Sequence, residues 1–316
     1  MMPRFSNGYC AIQNRICLLV ETHSLKPFNN RVFSTLSIMH HTLDFVNRNF
    51  RELIALNKKA DNQTVNYYYN KGKVLPVDFE DTDEYENFSF KGFESYEEES
   101  EITGNKVLRY ADKPIVFNLP LFNKTRIKYA VSVPKAYLIP KEFSYLVEIM
   151  KLHGIKCNVL SSSTKITVDR YKFINDQFAP RPYEGKQQVT FDVIPFTEKI
   201  KIPKGTFVVK TNQRTLRVIA HLLEPMAPDS FVQWGFFNSF FERKEYAEPY
   251  VMEPIAKKML RDDSRLREEL FAKLNSDENF RNNPGERLDF FYRNSPYFDK
   301  IEKVYPVMRV DEKILL

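Results

Sequence analysis

Apolar and polar positions form clearly separable stretches at the beginning of the chain. An unbroken apolar run from Ile16 to Val20 predicts a strand buried on both faces, as in a parallel sheet. After a polar turn, apolar residues recur at three- and four-residue intervals from Val32 to Leu53. This spacing predicts a long amphipathic helix that begins near Arg31. The pattern therefore predicts a buried strand, a loop and a helix that can lie on a sheet.

The region that follows is predicted to be rich in β-structure, because short apolar runs alternate with turn residues. These runs predict strands at 74–79, 88–93, 115–119, 128–133, 166–168, 189–194 and 206–209. A strand, a helix and a second strand between 136 and 160 predict a βαβ-like unit, with Pro140 at the first helical position and Gly154 at the helix end. Residues 229–274 show mainly helical spacing, with Asp263 or Ser264 as the N-cap of one helix.

A polar stretch at 57–66 is the first plausible domain boundary. It predicts one segment at 1–60 and a second at 64–316, β-rich over 64–215 and mainly helical over 229–275. The predicted fold class is thus α/β for the first segment and α+β for the second.

Glu21 follows the predicted buried strand directly. In open α/β sheets, ligands bind at the carboxyl ends of the strands. A carboxylate at this place is therefore either a catalytic group or a structural one that accepts loop amides or caps the next helix.

The segment LLVETHSLKPFNNRV, residues 18–32, resembles the last strand and helix of the carboxypeptidase A-like zinc metallopeptidases. Four downstream tracts resemble a bacterial branch of that family with a long accessory region: VPKAYLIP (133–140), LHGI (152–155), HLLEPMAPDSFVQWGFFNSFFERKEYAEPYV (221–251) and RLDFFYRNSPYFD (287–299). The resemblance implies that residues 1–60 are the C-terminal end of the catalytic domain and 64–316 the accessory region.

The resemblance implies hydrolysis of C-terminal residues from a peptide substrate. Glu21 is expected to be the general base that takes a proton from water activated by zinc. The loop Phe5–Tyr9 falls where the family shapes the pocket for the terminal side chain, so Ser6 and Tyr9 are candidate substrate-binding residues. His23 could also touch substrate, although a loop hydrogen bond is the alternative.

The zinc ligands of the family have no place in this sequence. They are a His-x-x-Glu pair and a later His, all upstream of the general base, and no His precedes Glu21 here. We therefore expect no metal ligand in this chain, and zinc only in a complete enzyme whose missing N-terminal part completes the catalytic domain. His221 and Glu224 match His-x-x-Glu but follow Glu21, so they are expected to be ordinary fold residues; an unrelated hydrolase built around them is one alternative.

Composition limits the other possibilities. Hydrophobic residues make up 43% of the chain and aromatic residues 14%, as in globular proteins. The net charge of +6 conceals eleven acidic residues against one lysine at 78–101, which predicts a solvated edge or loop. The basic residues are scattered, so no nucleic-acid partner is expected, and no run approaches the ~20 apolar residues of a membrane span. The three cysteines predict no disulfide framework, and Cys17 is expected to be buried.

These residues do not predict the cellular compartment of the protein, which is unknown from the sequence. A periplasmic or secreted protein is expected if the missing N-terminus carries a signal peptide. One rival function stays open. Residues 64–316 would then be a non-catalytic peptide- or glycan-binding module, and the peptidase segment with Glu21 would be vestigial.

Overall fold

The computed structural model describes residues 2–243 and 245–312. Helices and strands are mixed along the chain, which confirms the predicted combination of α and β structure. The chain forms two compact units, each assembled from three stretches of sequence. The first unit contains Met1–Ala136, Tyr145–Cys157 and Val209–Ser230, and the second contains Tyr137–Ser144, Asn158–Val208 and Phe231–Leu316. The predicted division into a peptidase end and an accessory region stays a prediction.

The first unit begins with a short helix, α1 (Ser6–Ile12), where the sequence predicted a loop over residues 5–9. Gly8 lies against the preceding backbone, and an added Cβ would stand 2.2 Å from the carbonyl oxygen of Met2. Only glycine allows this close approach. The loop prediction was wrong because Ser, Asn and Gly are typical of turns, whereas here the glycine serves packing inside a helix.

The strand predicted at Ile16–Val20 is not formed. Residues 15–23 have no regular secondary structure, and Cys17, predicted to be buried, is exposed. A strand exists only beside a partner that pairs its amides and carbonyls, and no strand of the described residues runs beside this segment. The apolar run is therefore suited to packing in a sheet, and none of the described residues pairs with it as a strand.

A single helix, α2 (Phe28–Thr64), follows the extended segment and continues as a π-helical turn at Val65–Asn70. It starts three residues before the predicted Arg31. The boundary predicted at 57–66 lies inside α2 and the π-helical turn. Its polar residues anchor the helix, since Asp61 forms a bidentate ion pair with Arg15 at 3.0 and 3.1 Å and the Thr64 hydroxyl donates to Asn14 Oδ1 at 3.1 Å.

Two antiparallel strand pairs follow. Strand β1 (Leu75–Asp81) pairs with β4 (Thr125–Val131), and β2 (Glu86–Glu99) pairs with β3 (Lys106–Leu121). These four strands confirm the predicted β-rich region. The acidic stretch at 78–101 covers the end of β1 and all of β2, where it is largely exposed, as predicted for a solvated edge. Basic residues of β3 face it across the hairpin, with Lys113–Glu94 at 3.0 Å and Lys106–Glu97 at 3.4 Å.

The core of the first unit joins this β-structure to a late helix, α4 (Leu216–Leu223). Leu75 and Val77 of β1 and Val131 of β4 pack against Leu216 and Ala220 of α4, and all five are at most 3% exposed. Helix α3 (Ser144–Leu152) has the predicted glycine at its end, because Gly154 adopts φ 77°.

Most of a six-stranded sheet belongs to the second unit. Its strands are β5 (Ala136–Ile139), β6 (Asn158–Val159), β7 (Thr164–Phe178), β8 (Val189–Ile202), β9 (Phe207–Lys210) and β10 (Met308–Val310), in the order β6-β9-β5-β10-β7-β8. The predicted strand–helix–strand elements between 136 and 160 are present, but β9 lies between β5 and β6 in the sheet. Strands β7 and β8 form a long antiparallel hairpin.

Four helices complete the second unit: α5 (Pro249–Asp262), α6 (Ser264–Ser276), α7 (Glu278–Asn282) and α8 (Pro284–Asn294). Their apolar faces share a core around Met252, Leu270 and Phe280. The predicted helical region at 229–275 thus begins twenty residues late, after turns and a 3-10 turn at Asn238–Phe241, and it extends to residue 294. The predicted N-cap is confirmed as Asp263, whose carboxylate accepts the N–H of Leu266 at 3.0 Å.

Candidate functional site

The segment that carries Glu21 is extended and uncovered. Ile16, Leu18 and Leu19 are 66, 62 and 48% exposed, although their side chains are apolar. Within the described residues, no backbone hydrogen bond reaches residues 16–22, and the exposed Glu21 side chain makes no hydrogen bond or ion pair. The capping and amide-binding roles considered for Glu21 are therefore not realised in this structure, and its carboxylate is open to solvent.

Helix α2 presents an apolar face beside this segment. A groove of about 930 Å³ lies between them, lined mainly by apolar side chains that include Ile16, Leu18, Ile38, Phe45, Val46 and Phe50. The Thr22 hydroxyl contacts that of Thr35 at 3.0 Å and holds the segment against the helix. Large apolar residues of α2, such as Phe33 at 66% and Leu43 at 66%, are exposed. Segment and helix thus form one continuous uncovered apolar surface.

The remaining predicted site residues lie in two places. His23 follows Glu21, and its Nδ1 accepts the backbone N–H of Leu25 at 3.2 Å, which is the loop hydrogen bond considered as the alternative role. Ser6 and Tyr9 lie on α1, with Ser6 exposed at the first position of the helix. No hydrogen bond of the described residues joins Tyr9 or Ser6 to Glu21.

Tyr9 belongs instead to a polar cluster with residues that sequence reasoning did not select. Its hydroxyl lies 2.7 Å from His153 Nδ1 and accepts Gln13 Nε2 at 2.8 Å. Gln13 Nε2 also donates to the carbonyl of His153 at 3.1 Å, and Arg214 donates to Gln13 Oε1 at 2.8 Å. The Tyr9 hydroxyl and His153 Nδ1 share one hydrogen bond, and the tautomer of His153 determines which of the two atoms donates.

This cluster borders a shallow pocket of about 340 Å³ that Cys10, Arg15 and Gly154 also line. Burial lowers the pKa of His153, so the ring is held in its neutral form over a wider pH range. A neutral imidazole fixed by a tyrosine beside two guanidinium groups can bind a small anion or position a peptide carbonyl. The i, i+4 spacing of Tyr9 and Gln13 would have been the only local signal for it.

His221 and Glu224, the pair that matches His-x-x-Glu, lie in the last turn and at the C-cap of α4, inside the first unit. Glu224 is fully buried, and His221 is 6% exposed with no hydrogen-bond partner at Nδ1 in the described residues. Burial is the main cause that lowers the pKa of His221 to about 4, and Arg217 lowers it further. Across residues 2–243 and 245–312, no group of three or more His, Cys, Asp or Glu side chains could hold a metal ion. The described residues thus do not fit a zinc site.

Comparison with known proteins gives a partial match to fungal carboxypeptidases. The chain is 32% identical over 104 residues to Carboxypeptidase 2 of Trichophyton tonsurans and of Trichophyton rubrum, which is 33% of this chain and 19% of each relative. It is 30% identical over 98 residues to the Probable carboxypeptidase 2 of Arthroderma benhamiae, 31% of this chain and 19% of that protein. The match supports a relationship to carboxypeptidases, and the chain spans about a fifth of the length of these curated relatives.

No family model matches the chain, and no solved structure matches it. Of the described helices, none is long and apolar enough to cross a membrane.

Proposed function

We propose that this chain is the C-terminal part of a zinc metallocarboxypeptidase of the bacterial branch, with residues 1–60 completing its catalytic domain and residues 64–316 forming an accessory region. The complete enzyme would remove C-terminal residues from peptides. The relationship to carboxypeptidases supports this reaction. The zinc ion and its ligands would belong to a part of the enzyme outside this chain.

One observation carries the proposal: the apolar segment before Glu21 and the apolar face of α2 are uncovered together. Fully burying one such side chain is worth roughly 1.5–3 kcal/mol, so several of them form a surface suited to a permanent contact. The backbone amides and carbonyls of this segment also have no hydrogen-bond partner among the described residues. A β-sheet of the same catalytic domain would satisfy both needs, since a neighbouring strand pairs the backbone and further elements cover the side chains.

Glu21 would act as the general base in this arrangement. Once Ile16–Val20 is fixed in a sheet, the carboxylate stands at a strand end, where ligands bind in open sheets. It would accept a proton from the attacking water and deliver it to the departing amine. The absence of any hydrogen bond to Glu21 among the described residues leaves both carboxylate oxygens free for this task.

The test compares Glu21→Gln with wild type in the complete enzyme. Glutamine keeps the shape and removes the proton acceptor, so turnover should fall by at least ~10²-fold, the lower end for loss of a general base. The zinc content, measured by elemental analysis, should not change, because Glu21 is not a ligand. The matched control is Glu84→Gln, an exposed carboxylate in the loop between β1 and β2, which should keep full activity. The substrates are one peptide with a free C-terminus and the same peptide amidated.

Retained activity in Glu21→Gln would make Glu21 structural and remove its assignment as the base. An equal loss in Glu21→Gln and Glu84→Gln would point to a general effect of charge. A complete wild-type protein that takes up no zinc when zinc is supplied, shows no peptidase activity and still binds peptide or glycan would favour the non-catalytic module.

A further inference from the structure

One buried glutamine holds three polar groups at the shallow pocket of about 340 Å³ in the first unit. Gln13 is only 8% exposed. Its Nε2 donates to the Tyr9 hydroxyl at 2.8 Å and to the His153 carbonyl at 3.1 Å, and its Oε1 accepts Arg214 Nη1 at 2.8 Å. The tyrosine, the histidine and the arginine are therefore positioned around the pocket by an amide that is itself shielded from solvent.

The guanidinium of Arg214 is the uncompensated charge of this pocket. Arg15, the other guanidinium that lines it, forms a bidentate ion pair with Asp61 at 3.0 and 3.1 Å. Arg214 forms no ion pair within the described residues, and its hydrogen bond to Gln13 uses one donor of its fork. Burial lowers the pKa of His153, which favours the neutral ring. Two arginines against one aspartate thus leave a single net positive charge.

Arg214 and His153 both offer donor groups at the edge of the pocket. Gly154 leaves room for the arginine, because a Cβ added there would stand 3.4 Å from Arg214 Nη2. The Tyr9 hydroxyl occupies Nδ1 of the His153 ring at 2.7 Å. Nε2 of the same ring has no partner among the described residues and is not enclosed. A guanidinium edge and a ring nitrogen are thus left for a ligand.

We propose that this pocket binds a carboxylate, with Arg214 as the charged donor and His153 Nε2 as the second donor. The planar guanidinium fork matches the two oxygens of a carboxylate. A single net positive charge suits a monoanion, and the charge of Asp61 disfavours the second negative charge of a phosphate. The bound carboxylate selects the His153 tautomer with its proton on Nε2, in which the Tyr9 hydroxyl donates to Nδ1. The proposal rests on this cluster and not on the role of Glu21.

The experiment follows the histidine ring signals of the full chain by NMR while chloride is replaced by acetate at constant ionic strength. The His153 signal, identified by its loss in His153→Gln, should shift in a saturable way. Its ring nitrogen shifts should report a proton on Nε2 in the saturated complex. Acetamide has the same shape without the charge and should cause no saturable shift, and phosphate should bind more weakly than acetate.

A substitution at Arg214 tests the charged donor. Arg214→Gln removes the charge and keeps an amide near Gln13, so acetate should bind at least ~10-fold more weakly, as expected for loss of a hydrogen bond from a charged group. The signal of the buried His221 ring in the same unit reports whether this variant is folded. The matched control is Arg48→Gln, an exposed arginine of α2, which should bind acetate as wild type does.

A free acid and the C-terminus of a peptide both offer a carboxylate. Acetylated trialanine and its C-terminal amide distinguish these two sources. A peptide acid that binds at least ~10-fold more tightly than acetate would identify a peptide end as the ligand, and equal affinities would identify a free acid. The amide should not bind in either case.

Four results would overturn the proposal. The first is the absence of a saturable His153 shift with acetate. The second is equal acetate affinity in wild type and folded Arg214→Gln. The third is acetamide, phosphate or the peptide amide binding as tightly as the matching carboxylate, a comparison that needs only the wild-type chain. The fourth is a His153 proton that stays on Nδ1 when acetate saturates the pocket.

Discussion

The buried histidine of α4 should make the stability of the first unit depend on pH. Burial, with a smaller effect of Arg217, lowers the pKa of His221 from 6.5 to about 4, while Asp78 of β1 acts in the opposite direction. Asp78 forms an ion pair with Lys128 at 3.0 Å. The lysine charge weakens the stabilisation that Asp78 gives to a protonated His221. In the unfolded chain the ring regains its ordinary pKa, so between the two values the unfolded state binds more protons. Stability is thus complete above pH 6.5 and is lost as the pH falls towards 4.

The size of the loss follows from the two pKa values. A lowering from 6.5 to about 4 corresponds to about 3 kcal/mol well below pH 4, and to about 2 kcal/mol between pH 7 and pH 5. In the described residues no acceptor meets Nδ1 of His221, so no protein hydrogen bond offsets protonation there. Against a typical domain stability of ~5–15 kcal/mol, a loss of this size is readily measured.

Hydrogen exchange in urea, followed on the amides of β1 and α4, measures the free energy of unfolding of this unit at both pH values. His221→Gln removes the titrating group, so its stability should change about 2 kcal/mol less between pH 7 and pH 5 than that of wild type. His40→Gln, an exposed histidine of α2, is the matched control and should behave as wild type. Equal pH-dependent losses in His221→Gln and wild type would refute the reasoning.

Two further predictions concern a helix cap and the uncovered segment. Asp263→Ala should destabilise the second unit by about 1 kcal/mol, because its carboxylate caps α6 through the N–H of Leu266. Urea denaturation followed by Trp234 fluorescence measures the free energy of unfolding. The control is Asp262→Ala, which changes the neighbouring exposed carboxylate. An equal loss of stability in both variants would contradict the role of Asp263 as a cap. Under reducing conditions, the amides of 17–20 in this chain should exchange at nearly unprotected rates, because no backbone group of the described residues pairs with them. Protection as strong as that of β1 would refute the uncovered-surface argument.

Local patterns predicted the elements whose structure depends on local contacts. The alternation around Leu75–Asp81 and the caps at Gly154 and Asp263 act within a few residues, so their positions agree with the structure. The apolar run Ile16–Val20 requires distant partners, and the sequence could not say whether they lie within this chain. The polar end of α2 looked like a linker because its contacts, such as Asp61 with Arg15, are made 46 residues away.

The candidate site was harder to predict for the same reason. Glu21 was selected from its position after an apolar run, which is a local signal. The partner of Tyr9, His153, is separated from it by 144 residues, and Arg214 is 201 residues from Gln13. The periodicity of apolar and polar residues along the sequence carries no information about contacts between residues so far apart. Only the folded chain brings these four side chains together.

Because the first unit is assembled from separated stretches of sequence, its core can be completed only after the last of these stretches has been synthesised. The faces of Leu75, Val77 and Val131 are covered by α4, whose first residue, Leu216, is made 85 residues after Val131 (216 − 131). At translation rates of ~5–20 residues per second, roughly 4–17 s pass between the synthesis of Val131 and that of Leu216. During that interval the apolar residues of β1 and β4 that α4 later covers are without that cover.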